Sequence, residues 1–312
     1  MYGVLAAGLG ISFYLAGVVL RVFLLVGGPR YGLWLPRAMV WYSGTLVITA
    51  LALILFDLFV LLPRKRTRVH VEWDPPSSAD LTVVLTAFND EASIGLAVRD
   101  FLRHPKVKRV IAVDNNSRDG TADAARLAGA SVVLERRPGY GRCVYRALSE
   151  GLAYSDTELT LLCEGDMTFR AYDIDKLLAF IPHADIVNGT RIVEQLRQLD
   201  TQLTTFMFYG NLFTGKLLEA KHLGRGTLTD VGTTYKLCRN AALERLLPLL
   251  NPGINLEFNA HFLDRALTHG HSVVECPVTF HARVGVSKGG NVSNLRALTV
   301  GLRMIRGIVV GW

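Results

Sequence analysis

The chain has 312 residues, half of them apolar, and a net charge of +7. The first 70 residues hold seven Lys and Arg against one Asp, a net of +6, so residues 71–312 contribute only +1. The alkaline balance therefore belongs to one end of the chain, and no nucleic-acid partner is expected, because a basic footprint is missing from the remainder.

Val4 to Val26 is an apolar run broken only by Arg21, and Ala38 to Leu62 is a second with Asp57 as its one charge. Each is long enough for a helix to cross a hydrocarbon layer of about 30 Å, which takes roughly 20 residues. A signal peptide is the alternative for the first run, but it lacks a basic leading region and a second span follows. The spacing predicts a two-helix transmembrane hairpin over residues 1–70. Arg64, Lys65, Arg66 and Arg68 crowd behind the second span, against Arg30 and Arg37 in the connector. The positive-inside rule then predicts a multi-pass protein of the cell (inner or plasma) membrane, with everything after the hairpin cytosolic. The lipid bilayer is thus an expected partner, and the hairpin offers a route to a homo-oligomer. At 1.5 Å per residue Arg21 and Asp57 would stand roughly 18 Å apart in depth, which favours snorkelling to opposite interfaces over an ion pair.

Asp74-Pro75-Pro76-Ser77-Ser78-Ala79-Asp80 reads as a break, so residues 71–80 are expected to link the hairpin to a globular domain over 81–293. Short apolar runs at Leu81–Ala87, Arg109–Val113, Ser131–Leu134, Leu159–Cys163, Asp185–Asn188 and Ser272–Glu275 read as strands. Helical patterns lie between the early ones, at Ile94–Arg103, Thr121–Leu127 and Tyr145–Ala153. That alternation predicts an α/β fold with a mostly parallel sheet, whose ligands sit outside the carboxyl ends of its strands. Cys143, Cys163, Cys238 and Cys276 have no metal-ligand spacing and read as buried reduced thiols.

The chemistry falls at those strand ends. Glu164-Gly165-Asp166 closes the run Leu159–Cys163. Two carboxylates so placed can share one divalent cation, and Gly165 would let a diphosphate approach the backbone; an ordinary acidic turn is the alternative. Thr86-Ala87-Phe88-Asn89-Asp90-Glu91 ends the first strand and Asp114-Asn115-Asn116-Ser117-Arg118-Asp119-Gly120-Thr121 follows the second. Such clusters can hold a base against Phe88 and a ribose on carboxylates, although Ser117 or Asp119 can equally cap the helix from Thr121. Pro138-Gly139-Tyr140-Gly141-Arg142 can present helix N–H groups to an anion or be a plain turn. Arg191, after Gly189-Thr190, can reach phosphates or lie at the surface.

Taken together, TAFNDE (86–91), VDNNSRDGT (113–121), PGYGR (138–142), EGD (164–166), GTR (189–191) and RVGVSK (283–288) resemble family 2 glycosyltransferases. The closest likeness is to the dolichol- or polyprenyl-phosphate mannosyl- and glucosyltransferase branch, over about residues 80–310. The resemblance implies a GT-A (Rossmann-like) domain, a nucleotide-diphosphate sugar donor, Mg2+ or Mn2+, and a polyprenyl phosphate acceptor at the cytosolic membrane face. It places Thr86, Phe88, Asp90, Asp114, Gly165 and Arg191 on the nucleotide sugar, and Glu164 and Asp166 on the metal. Asp166, Arg283 and Lys288 are its catalytic residues, and Arg191, Ser287 and Lys288 face the acceptor phosphate. The sequence departs from the branch in four places. Glu164 replaces an Asp, and Thr168 stands where a metal-contacting Gln is common. RVGVSK is one residue short, and Gln198–Leu212 is poor in basic residues.

The implied reaction is an inverting displacement at the anomeric carbon. A phosphate acceptor is already ionised, so the burden falls on positioning and on neutralising the departing diphosphate. Gly285, Gly289 and Gly290 would let the Arg283–Lys288 loop close. In the tail, residues 294–312, Leu295, Leu298, Leu302, Ile305, Val309 and Trp312 recur at helical steps beside Arg296, Arg303 and Arg306. This predicts an amphipathic membrane-interface helix, with a core helix of the domain as the alternative. Other readings are transfer to another lipid or glycan hydroxyl, or a non-catalytic nucleotide-sugar-binding scaffold. A processive synthase is disfavoured by the lack of a Gln-x-x-Arg-Trp segment. A nucleotidyltransferase would need a glycine-rich basic loop where TAFNDE stands.

Overall fold

The computed structural model describes residues 2–27, 30–65, 72–285 and 293–312. Two compact units divide the chain, Met1–His70 and Val71–Trp312.

In the first unit, helix α1 (Tyr2–Val26) packs against α2 (Trp34–Phe56), which continues through a π-helical turn (Asp57–Leu61) into the short α3 (Leu62–Lys65). Both long helices are long and apolar enough to cross a membrane. Gly3, Gly10 and Gly17 form the seam at seven-residue spacing. A Cβ added there would stand 2.9 Å from the Ala50 carbonyl oxygen, 3.1 Å from that of Ser43 and 3.1 Å from that of Pro36 respectively. Backbone therefore meets backbone, as small residues allow between apolar helices. The partners run backwards along α2, so the hairpin is antiparallel and Arg21 and Asp57 lie toward opposite ends of it.

In the second unit, residues 74–80 are irregular, and they are fastened to the domain. The Asp74 N–H donates to the Pro182 carbonyl at 2.8 Å, and the Ser77 N–H to Glu158 at 3.0 Å. The chain then runs through β1 (Leu81–Ala87), α4 (Glu91–Leu102), β2 (Val107–Asp114), α5 (Thr121–Leu127), β3 (Ser131–Leu134), α6 (Tyr140–Gly151) and β4 (Leu159–Glu164). It continues with α7 (Ile174–Phe180), β5 (Ile186–Thr190), α8 (Thr205–Lys221), β6 (Lys236–Arg239), α9 (Asn240–Leu246), α10 (Phe258–Thr268), β7 (Val273–Pro277) and α11 (Asn294–Val310). The sheet has the order β3-β2-β1-β4-β6-β5-β7. β1 lies parallel between β2 and β4 and is buried along its whole length, which is why Leu81–Ala87 reads as an unbroken apolar run. Ile94, Val98 and Phe101 of α4 share its core, and α6 packs against it as well.

β6 is the unexpected element. It runs antiparallel between β4 and β5. Its sequence, Lys236-Leu237-Cys238-Arg239, is too short and too charged to announce a strand. Being antiparallel, it begins at the edge where β1, β2, β4 and β5 end. That brings the preceding loop, Asp230–Tyr235, to the ligand edge of the sheet. The four cysteines are free and buried.

Candidate active site

The edge formed by these strand ends opens into a cavity of about 680 Å³. Three left-handed residues shape it: Asn89 (φ 52°) after β1, Asn116 (φ 62°) after β2 and Met167 (φ 69°) after β4. Asn tolerates that conformation; Met does so at a cost on the order of 1 kcal/mol, so surrounding bonds must impose it. They are present. Asp166 Oδ1 accepts from the Thr168 N–H at 3.0 Å and from its hydroxyl at 2.5 Å. The Val284 N–H donates to the Asp166 carbonyl at 3.1 Å and the His281 N–H to that of Thr168 at 2.9 Å. The Glu164–Thr168 turn and the strand leading to Arg283 are thus one fixed piece.

This geometry aims Asp166 Oδ2 into the site. The atom is buried and accepts no hydrogen bond. Arg283 faces it, with Nη1 3.0 Å from Asp166 Oδ2 and Nη2 2.6 Å from Asp90 Oδ1. Asp90 also accepts from the Phe88 N–H at 3.0 Å. Burial tends to lower the Arg283 pKa, but Asp166 and Asp90 more than offset this and raise it, so the guanidinium stays charged. Glu164 is turned the other way, accepting from the Thr234 hydroxyl at 2.9 Å. Burial first, then the neighbouring Asp166, push its carboxyl up to about 7.

The chemistry suits a hard divalent cation. Asp166 offers a buried oxygen whose partner is the Arg283 guanidinium, and Glu164 keeps one oxygen beyond its bond to Thr234. Among the described residues no cluster of three or more His, Cys, Asp or Glu surrounds the place. Such a cation would therefore complete its shell with water and substrate phosphate, as Mg2+ commonly does.

Thr86, Phe88, Asp90, Glu164, Asp166, Arg191 and Arg283 all line the cavity. Other expected site residues are placed differently. Gly165 is not in the lining: a Cβ there would stand 2.3 Å from Ile94 Cδ1, so the glycine packs against α4. Asp114 is not in the lining; its Oδ1 accepts from the Ser117 N–H at 3.1 Å, and its neighbour Asn115 lines the cavity. The N–H groups of Gly139 and Tyr140 are taken by Asn115 Oδ1 (3.0 Å) and Asn255 Oδ1 (2.8 Å), so this helix start is no open anion cradle. Asp119 accepts from the Thr121 N–H at 3.1 Å, a turn bond just ahead of the helix, whose N-cap is Gly120. Thr168 serves Asp166. Arg191 is buried and bidentate to Asp230, through Nε at 2.6 Å and Nη2 at 2.8 Å. It is a fixed positive wall, not a mobile hand. Ser287, Lys288, Gly289 and Gly290 lie outside the described residues.

The far wall is apolar. Phe206, Met207 and Phe213 of α8 face Leu298, Leu302 and Ile305 of α11 across the cavity. Both ends of this helix pair are tied. Thr204 Oγ1 meets Asn294 Oδ1 at 3.5 Å where the helices begin. Where they finish, buried Asp264 of α10 accepts from Lys221 (2.8 Å), His222 (2.7 Å) and Trp312 Nε1 (2.6 Å). The tail helix thus packs on the domain through Val300, Met304, Gly307 and Ile308. Trp312, expected at a membrane interface, sits instead against His261 and Gly307, because its indole N–H has a buried carboxylate to satisfy. Leu295, Leu298 and Leu302 remain exposed.

Residues 82–247 match the model of the family described as Glycosyl transferase family 2. The chain belongs to that family. It is 38% identical over 206 residues to an uncharacterized glycosyltransferase of Mycobacterium tuberculosis, a match spanning 66% of this chain and 87% of the relative. It is 27% identical over 210 residues to a dolichyl-phosphate hexose transferase of Haloferax volcanii, spanning 67% and 86% respectively. In fold it resembles glucosyl-3-phosphoglycerate synthase of Mycobacterium tuberculosis, solved with Mn2+, UDP and phosphoglyceric acid. The TM-score is 0.54 at 17% identity, over 77% of this chain and 87% of that one. A second structure of that synthase, with Mg2+ and UDP, gives 0.54 at 16% identity. The family 2 domain is a GT-A fold, and the protein is a glycosyltransferase.

Proposed function

We propose that this family 2 glycosyltransferase is a membrane-anchored inverting enzyme that moves a sugar from a nucleotide-diphosphate sugar to a polyprenyl phosphate, with its domain on the cytosolic side. The observation that carries the reading is the composition of one continuous cavity. Acids and arginines fill the end at β1, β4 and β5, and an apolar corridor between α8 and α11 fills the other. A donor diphosphate and an acceptor phosphate suit the first, and an isoprenoid tail suits the second. The two long apolar helices supply an anchor, and one relative is named for the same class of acceptor.

Phe88 and Asn115 would receive the nucleoside at the β1 and β2 ends. Asp166, helped by Glu164, would hold Mg2+ or Mn2+, which supplies charge neutralisation to the departing diphosphate. Arg283 is already held at that spot by Asp90 and Asp166, so its charge is preorganised and costs no rearrangement when the anomeric bond breaks. The acceptor phosphate needs no general base. Ser287 and Lys288 follow Arg283 closely enough in the chain to face it.

The test compares two short isoprenoids, one as the phosphate and one as the free alcohol, with the full chain in detergent and a panel of nucleotide sugars. Product should form from the phosphate only. Equal glycosylation of the alcohol would transfer the reading to a hydroxyl acceptor.

A further inference from the structure

One polar cluster in the cavity shares Glu164 with the acid pair and extends beyond it. Tyr140 at the start of α6, Glu164 at the end of β4, Thr234 ahead of β6 and Asn259 in α10 converge from four elements. Their bonds run in one direction. Asn259 Nδ2 donates to the Tyr140 hydroxyl at 2.9 Å, which lies 2.5 Å from Thr234 Oγ1. Thr234 Oγ1 in turn donates to Glu164 Oε1 at 2.9 Å. The Asn259 amide is oriented from below, where the buried Lys236 Nζ donates to its Oδ1 at 3.4 Å and so turns the NH2 toward the cavity.

We propose that Tyr140, Glu164, Thr234 and Asn259 form the subsite that reads the hydroxyls of the donor's sugar ring, with Lys236 as a positioning residue. This rests on the transferase reading of the same cavity. Three observations support it. First, the donor and acceptor inventory is that of a hydroxyl reader: two hydroxyls, an amide and one carboxylate, with Arg191 and Arg283 near enough to act on Glu164 but not hydrogen-bonded to the cluster. Phosphate would be repelled by Glu164 and is matched instead by Arg191 and Arg283. Second, the order along the sheet edge is consistent. The nucleoside side lies at β2 and β1, the paired acids at β4, and this cluster at β4 and β6, one strand further along. A sugar attached beyond a diphosphate belongs at that next position. Third, the Glu164 carboxylate reaches Thr234, whereas Asp166 Oδ2 is paired with Arg283 on the diphosphate side. A site built to bond a particular hydroxyl rejects the epimer that leaves its buried groups unpaired.

The experiment uses the full chain in nanodiscs with Mn2+. Affinities for UDP and GDP are measured by calorimetry, and kcat/KM for UDP-glucose, UDP-galactose and GDP-mannose with a short polyprenyl phosphate. Thr234→Val and Asn259→Leu should leave the affinity for the preferred nucleoside diphosphate within about twofold of wild type. They should also lower the ratio of kcat/KM between the preferred sugar and its epimer at least about tenfold, a plausible size for lost polar discrimination. Lys236→Met should shift the same ratio in the same direction. Tyr140→Phe removes a single hydroxyl and carries the same readout if either larger change prevents folding. A uniform loss with the sugar ratio unchanged, or an equal loss of nucleoside diphosphate affinity, overturns the subsite. Wild-type protein that binds neither UDP nor GDP overturns the transferase reading itself, and the subsite with it.

Discussion

Asp166 is the residue on which the catalytic reading turns, because one of its oxygens is fixed by Thr168 and the other is buried facing Arg283. Asp166→Asn should lower turnover at least about 100-fold, comparable with removing one preorganised electrostatic group. Melting temperature should barely move. Steady-state rates and thermal melts on the same preparation check this, and wild-type turnover should vanish in excess chelator. With only two carboxylates available, Mn2+ should bind weakly to the protein alone and at least about tenfold more tightly with a nucleoside diphosphate present. Calorimetric titrations with and without UDP or GDP decide it; equal affinity in both would point to a preformed metal cage. The sequence carried much of this site. The EGD turn, Thr86, Phe88 and Asp90 stand at strand ends that hydrophobic runs reveal, whereas Arg283 is placed only by the family resemblance of RVGVSK. Gly165 and Asp114 are not in the cavity lining: Ile94 packs on the one and Ser117 bonds the other, contacts that the sequence does not display. Thr234 and Asn259 were missed, and Tyr140 was read only through its backbone, because residues so far apart in sequence meet only through topology.

That topology belongs to the elements, and β6 is the decisive one. Periodicity exposes β1, β3 and α5 at their observed bounds, since each is a clean apolar or amphipathic run. A four-residue antiparallel strand with a lysine inside gives no such signal. Lys236 is wholly buried, and burial lowers its pKa to about 7, with Asp230 opposing. Its ordinary value is 10.5, so between about pH 7 and 10.5 the unfolded chain binds the proton that the folded chain does not. In that window its contribution makes stability rise with pH, by at most about 1.4 kcal/mol per unit. Below about pH 7 both states are protonated and the penalty is constant. Lys236→Met should flatten the rise of stability between pH 7 and 9, measured by thermal melts across that range. The α8–α11 pair makes a separate prediction. Trp312→Ala removes one of three donors from Asp264 and loosens the corridor without touching the acids. It should raise the KM for a long-chain polyprenyl phosphate about fivefold or more and leave nucleotide affinity intact; a matched loss of both would assign Trp312 to domain stability alone.

For the whole molecule, the charge asymmetry and the two apolar runs announce two parts, helices long and apolar enough to cross a membrane and then a domain, and the chain divides at His70 and Val71. The seven-residue glycine spacing that closes the hairpin is visible in the sequence but is hidden by hydropathy, which scores glycine as nearly neutral. Removing residues 1–70 should leave a folded domain that binds nucleotide and Mn2+. Its transfer to polyprenyl phosphate in vesicles should fall about tenfold or more as the local acceptor concentration is lost, while transfer to a short soluble acceptor survives. Failure with the soluble acceptor, despite intact donor binding, would make the hairpin part of the acceptor site. The central claim is transfer of a sugar to a lipid phosphate, and mass spectrometry of lipid extracts tests it most directly. The full chain would be reconstituted with polyprenyl phosphate, Mn2+ and a panel of nucleotide sugars. One donor should yield a lipid carrying a single sugar on its phosphate, and the product should be absent with chelator or with Asp166→Asn. Consumption of the donor with free sugar as the only product, or sugar found on a hydroxyl lipid, would contradict it.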